Sequence, residues 1–478
     1  MNHKIKHQST RRNFIKSTGA IAAGFTILPS YLTAARKPGA PLPPSERINL
    51  ACIGIGGRAR GVIPSLCHGG RAQPIALCDV DFESAKGAQD TLKQYPDAAR
   101  FHDFREMFDK LEKDIDAVSV VTPDHTHFCA AILAMSLGKH VYVEKPLTRT
   151  FHESELLMRA EKKYGVVTQM GNQGHTGSGI DLFSKMVEAG LCNEMTHLDA
   201  WKTPSLWFMD KKQRNILPLS KDPVPDSLKT WDLWCGPRQK LPFNKLYHPF
   251  DWRGFYEYGM GMLGDWGAHI IDFVHDKLDM GLPTTIKSIQ MLDHNQIYYP
   301  LGSQLSMHFP ARGENRPAID MIWKDGPDCL PEIPERFLTK GENGKPDQSI
   351  TRGAGTLLYG ENTDLAISRG HHVDSPVILT QQDSKNKYDA FKPVEVDRNS
   401  ADHFTSFINA CKGDGTTNSP FSKGGLLTQV LALGTIAQYL NTDLEFDPKA
   451  KQFVDNDAAN VLLNPPARKE WEQYYQLA

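Results

Sequence analysis

Along the chain, unbroken apolar runs of strand length alternate with longer segments whose apolar residues recur at helical spacing. The runs at 48–54, 72–79, 117–122 and 140–144 predict buried strands, and a short one is predicted at 100–102. Between them, 58–67, 82–95, 104–113 and 128–138 predict helices. Strand and helix alternating at this spacing means a parallel, doubly wound sheet, on which ligands bind beyond the carboxyl ends of the strands. A helix at 151–165, a strand at 166–170 and a helix at 179–190 extend the series. After Glu194 the runs shorten and are broken by Gly, Pro and Asp, which suits antiparallel strands. Helical spacing returns at 401–411 and 424–440, and 335–350 reads as an exposed, charged, Gly-rich loop.

Composition narrows the class. The 478 residues are 40% hydrophobic and 23% charged, which excludes wholesale disorder and fibrous repeats. A net charge of −2 gives no bias toward nucleic acid or an acidic membrane. The eight cysteines show no CxxC pair and no Cys/His zinc spacing, so neither a disulfide scaffold nor a zinc module is indicated. Residues 1–37 differ from the rest. Lys4, Lys6, Arg11, Arg12 and Lys16 precede an apolar run at 19–35 that Pro29 interrupts, a signal h-region rather than a comfortable membrane span. Thr10-Arg11-Arg12-Asn13-Phe14-Ile15-Lys16 resembles the twin-arginine export signal. The expectation is export to the periplasm with no membrane anchor after cleavage, the alternative being an uncleaved anchor on the same domain. Residues 38–46 read as a Pro-rich spacer.

The chemistry lies in the turns. Gly54-Ile55-Gly56-Gly57-Arg58-Ala59 fits G-x-G-x-x-A between a strand and a helix. Its small residues allow a tight turn, close approach of backbone N–H groups to a pyrophosphate, and packing of helix on strand. Asp79 ends the second strand, 25 residues after Gly54. There it can accept hydrogen bonds from ribose hydroxyls and repel a 2′-phosphate, favouring NAD over NADP; a helix N-cap is the compatible structural role. Arg58 and Arg60 keep NADP open. Two polar clusters fall at strand ends, Thr122-Pro123-Asp124-His125-Thr126-His127 and Glu144-Lys145-Pro146. Asp265 and His269, four apart after a glycine-rich lead-in, share one helix face. With Asp272 they offer no clear third ligand in register, so no metal is expected. Trp201, Trp207, Trp231, Trp234 and Trp252 suit core packing, or one or two of them form platforms for the flat apolar faces of sugars.

Together, the 54–59 turn, Thr122-Pro123 with His125 and His127, and Glu144-Lys145-Pro146 resemble the Gfo/Idh/MocA oxidoreductases (glucose–fructose oxidoreductase, inositol dehydrogenase and relatives), over nearly all of 47–478. The resemblance implies an α/β Rossmann domain at 47–170 and an α+β domain at 171–400 with a large open, mainly antiparallel sheet. Helices and tail at 401–478 would then return to the Rossmann domain. It assigns cofactor contacts to Gly54, Ile55, Gly56, Gly57, Arg58, Asp79, Thr122, Pro123, His127, Glu144 and Lys145. Lys145 would lie beside the nicotinamide and the substrate hydroxyl, His269 would act as acid/base, and Asp265 would orient the imidazole. Asn172, His175, Trp252, Arg253 and His269 would meet the substrate, although His175 has a turn or capping role as its alternative. The 231–253 stretch and the 464–471 tail resemble an exported, sugar-processing branch. The implied reaction moves a hydride between a sugar or glycoside hydroxyl and tightly held NAD, giving a keto-sugar. The C3 position follows from similarity to glycoside 3-dehydrogenases, and a homodimer or homotetramer is expected. Two alternatives stand: a redox-neutral NAD-dependent glycosidase, with His175 or Tyr258 as its extra base, and a non-catalytic carbohydrate- or nucleotide-binding protein.

Overall fold

The apolar runs pair in parallel. β1 (Ile48–Ile53), β2 (Ala72–Cys78), β3 (Ala99–Phe101), β4 (Ala117–Val120), β5 (His140–Val143) and β6 (Thr168–Met170) form one sheet in the order β3-β2-β1-β4-β5-β6. Every pairing in it is parallel. The computed structural model describes residues 46–478 except 84–86, 205–206, 208–218, 229, 328, 339–352, 371–373, 381–386 and 393–401. The leader at 1–37, nearly all of the spacer and most of the 335–350 loop lie outside those residues.

Connecting helices are α1 (Ala59–Leu66), α2 (Ala88–Gln94), α3 (Phe104–Leu111), α4 (Asp124–Ser136) and α5 (Phe151–Tyr164). Local signals set their ends. At α5, Thr150 accepts from the Glu153 N–H at 3.2 Å and Glu153 accepts from the Thr150 N–H at 3.1 Å, a closed capping box, while Gly165 ends the helix at φ 61°. Two expectations shift. The helix expected over 82–95 is regular only from Ala88, after Gly87 at φ 83°. The helix expected from 128 starts at Asp124, because Pro123 sits extended as its cap. That moves Asp124, His125, Thr126 and His127 from a loop into a helical turn.

The second sheet has nine strands in the order β13-β12-β11-β7-β10-β9-β8-β14-β15. These are β7 (His197–Lys202), β8 (Thr285–Leu292), β9 (Gly302–Phe309), β10 (Ile319–Asp325), β11 (Ala354–Tyr359), β12 (Leu365–Arg369), β13 (Val377–Thr380), β14 (Leu444–Asp447) and β15 (Gln452–Phe453). Among the described residues, β7 and β10 form the one parallel pair of this sheet. Its helices are α6 (Ser178–Glu188), α7 (Trp231–Cys235), α8 (Gly261–Ile270) and α9 (Asp272–Lys277). Glu335–Phe337, inside the segment read as exposed loop, is a 3-10 turn with Phe337 buried on Trp201 and Leu357.

The end of the chain ties the lobes together. α10 (His403–Cys411) packs on α1 and places Phe407 and Ile408 in the core beside β1, whereas β14 and β15 extend the large sheet. α11 (Phe421–Leu440) lies between α5 on one side and α8, β8 and β9 on the other. Leu427, Leu431 and Leu433 are fully buried along it, and each such side chain contributes roughly 1.5–3 kcal/mol. α12 (Asp457–Leu463) follows, and Trp471 then packs at a tilt against Phe104 and under the Arg105 guanidinium of the nucleotide lobe.

Candidate active site

A cleft of about 820 Å³ runs from the glycine turn to α8. At its first end Gly54 holds φ 78°, and a Cβ there would stand 2.5 Å from the Val121 carbonyl oxygen, so only glycine lets β1 and β4 end this close. Asp79 braces the turn: its carboxylate accepts the Ile55 N–H at 2.9 Å and the Asp81 N–H at 3.1 Å. Burial raises the Asp79 carboxyl above its ordinary value, and those two N–H groups pull it back. Gly54, Gly56, Gly57, Arg58, Arg60, Asp79, Thr122, Pro123 and Glu144 all face the cleft. This side-chain-free turn with a carboxylate at the neighbouring strand end fits a pyrophosphate and an adenosine ribose. Arg58 extends to Glu144 at 3.5 Å, which also accepts from Gln173 at 3.0 Å.

At the other end the lobes meet. Lys145 follows β5 through a cis bond to Pro146, and its Nζ donates to the Asp265 carboxylate and, at 3.3 Å, to the Asp265 carbonyl. Both side chains are 15% exposed. Burial alone would raise the Asp265 carboxyl; Lys145, then Arg253, outweigh it and hold it below the usual carboxylate range. α8 lies on β7, β10 and β11, and it presents His269, one turn after Asp265, to the same cleft. The expectation that Asp265 orients His269 is corrected here: the carboxylate is drawn across the cleft to the ammonium, a full charge, rather than along its own helix to an imidazole. Arg253 and Trp252 line the wall opposite, with the guanidinium 4.1 Å above the Trp252 ring.

Several residues singled out from sequence stand elsewhere. His127 is 1% exposed, and its ring nitrogens lie 2.8 Å from the Thr122 carbonyl and 2.9 Å from that of Pro146, so the neutral ring donates to one of these carbonyls at a time and does not line the cleft. Burial lowers its imidazole to about 4. His125 does the same between Trp234 and Tyr258. Ile55 is buried and contributes its N–H to Asp79, not to the cleft. His175 is sealed between Asp272, at 2.9 Å, and Asp276, at 3.6 Å. Asp272 therefore does not converge with Asp265 and His269. Asn172 is 1% exposed behind the cleft wall, next to Gly171, where a Cβ would meet Glu144 at 2.8 Å. Tyr258 is fully buried and donates to the Gln239 carbonyl at 3.1 Å. Trp231 and Trp234 stack on each other and meet Tyr258 edge-on in an aromatic core; Trp234 and Trp252 reach the cleft as well. Asp124 and His248 also line the cleft, and sequence reading did not select them. The sole signal for Asp124 was its place directly after Thr122-Pro123.

A doubly wound sheet with a glycine turn and an acid-ended second strand, facing an open sheet across a cleft holding a lysine and a histidine, defines an NAD-binding oxidoreductase. Residues 48–172 match the oxidoreductase family's NAD-binding Rossmann fold, and 185–294 with 386–473 match its C-terminal alpha/beta domain. The chain belongs to this GFO/IDH/MocA oxidoreductase family. A glycosyl hydrolase family 109 protein of Solibacter usitatus is 31% identical over 197 residues, 40% of this chain and 45% of that protein. An alpha-N-acetylgalactosaminidase of Shewanella oneidensis is 28% identical over 213 residues, 41% and 46% of the two chains. The chain thus spans about half the length of the curated relatives it matches. Among solved structures, the WlbA dehydrogenase of Bordetella pertussis, in complex with NADH and UDP-GlcNAcA, has a TM-score of 0.54 at 15% identity, covering 84% of this chain and 99% of that one. A levoglucosan dehydrogenase in complex with NADH and L-sorbose has a TM-score of 0.53 at 16% identity, with the same coverage. These two likenesses establish the fold.

Proposed function

We propose that the protein oxidises a hydroxyl of a sugar or glycoside, at C3, to a ketone. The observation that carries this reading is the meeting of Lys145 and Asp265, from opposite lobes, beside His269 in one cleft with the glycine turn. Bound NAD supplies hydride acceptance; positioning and proton handling fall to side chains. A sugar hydroxyl is a poor acid, so its proton must leave as the hydride does. An imidazole titrates in the range this needs, and His269 takes that proton. Lys145 donates a hydrogen bond to the same oxygen and stabilises its developing negative charge. Asp265 holds the ammonium in place between the lobes. Trp252 backs the Arg253 guanidinium stacked on its ring, and Arg253 donates from that wall to sugar hydroxyls.

In the exported form the cofactor stays bound and is recycled on the enzyme, since NAD is scarce outside the cytoplasm. The names of the curated relatives favour a second reading, the glycosidase, in which oxidation prepares the glycosidic bond for elimination and the ketone is finally reduced. Native mass spectrometry of the purified protein with a panel of glycosides tests both. Retained dinucleotide and a two-dalton loss from the glycoside support oxidation. Free aglycone without net redox change supports the second reading, and neither product overturns the proposal.

A further inference from the structure

Asp124 is a charged group of the cleft for which oxidation has no task. It opens α4, is 6% exposed, and faces the same cavity as Lys145, Asp265 and His269. Both residues that sequence suggested as an extra base, His175 and Tyr258, are sealed from that cavity, which leaves elimination without a base unless the cleft supplies one. Burial pushes the Asp124 carboxyl up to about 7; Arg253 opposes the rise, Asp265 adds to it, and Lys145 and the Met260 N–H hold it back. The Asp124 charge also bears on Tyr299, whose phenol is raised chiefly by burial. A carboxylate in this state is a stronger base than an ordinary one, yet stays substantially ionised near neutrality.

We propose that Asp124 is the second base of the cleft, taking the proton from the sugar carbon that lies between the ketone and the anomeric carbon. The inference rests on the keto-sugar reading above. The C–H electron pair forms the double bond to the anomeric carbon. The bond from that carbon to the aglycone oxygen breaks with its electrons going to oxygen, which takes a proton from water. Asp124 later returns its proton to the resulting hydroxide. The products are an enone sugar and a free alcohol, and no oxidant or reductant is consumed. The Lys145 ammonium, already placed for the hydroxyl oxygen, then faces that same oxygen as it becomes an enolate.

The test supplies a ready-made 3-keto-glycoside to the full-length protein in D₂O and reads deuterium at the neighbouring carbon, with aglycone release beside it. This step needs no hydride transfer, so failure of the oxidation reading shows separately, as an untouched parent glycoside. The wild type should exchange well above the buffer rate, with an inflection near pH 7. Asp124→Asn should lower exchange by about 10²–10⁴-fold and remove the inflection, while Asp124→Glu retains exchange with the inflection moved. Wild-type exchange at the buffer rate, or Asp124→Asn exchanging at the wild-type rate, overturns the proposal. If circular dichroism shows Asp124→Asn unfolded, Asp124→Glu decides, and an unmoved pH profile overturns it.

Discussion

Two clusters in this molecule set a nitrogen-bearing side chain against aspartate. Lys145 meets Asp265 with both side chains 15% exposed in the cleft, whereas His175, 2% exposed, is closed between Asp272 and Asp276. Lys145, Asp265 and His175 all carry a functional expectation from sequence. The two clusters differ in access. The first joins two lobes across a cavity that admits a ligand; the second locks the segment after β6 onto α9 and Arg369, which donates to the Gly174 carbonyl at 3.2 Å. A charged pair open to a cavity can exchange its partner for substrate, while a sealed pair can only hold its elements in place.

The sharpest way to break this comparison is Lys145→Ala. It should lower kcat for keto-sugar formation by more than His269→Ala, and full activity would remove Lys145 from the chemistry. His269→Ala removes one positioned base and should cost about 10²–10⁴-fold in kcat; equilibrium dialysis should show NAD still bound, and unchanged turnover would refute the role. His175→Ala should act on folding instead. It leaves Asp272 buried without its imidazole, lowering stability by about 3 kcal/mol in urea denaturation, and lowering kcat per folded molecule far less than Lys145→Ala. A kcat loss as deep as that of Lys145→Ala would dissolve the distinction between the clusters.

The last expected effect is electrostatic and is read in stability rather than turnover. Asp124 titrates at about 7 in the fold against an ordinary 3.8. Between those values the folded state keeps a proton the unfolded chain has released, so this group's contribution to stability is present below the lower value and lost as pH rises through the upper one. Asp124→Asn should flatten that part of the stability–pH curve, making the variant relatively more stable at pH 8 than at pH 4. Parallel curves would show that the carboxyl does not titrate there.

Much of the nucleotide lobe was legible because its signals are local. The alternation of apolar runs, the glycine turn and Asp79 are each read within a few residues of themselves, whereas the strand order was not read. The shorter α2 and the earlier start of α4 were not legible, since Gly87 and Pro123 decide them through backbone conformation rather than hydrophobic period. The roles of His127, His175 and Tyr258 were illegible for another reason. A polar side chain at a promising spacing looks the same whether it faces a cavity or a backbone carbonyl from another element. His127 has its carbonyls five and nineteen residues away, His175 its Asp272 ninety-seven away.

Turn chemistry and periodicity therefore specify, without coordinates, a dinucleotide-binding lobe followed by a mostly antiparallel one, because both depend on neighbours along the chain. Solvent access and charge partnership depend on neighbours through space. That Asp265 crosses to Lys145, that His175 is sealed, and that Asp124 joins the cleft all follow from how α8, α9 and the start of α4 come together against β5.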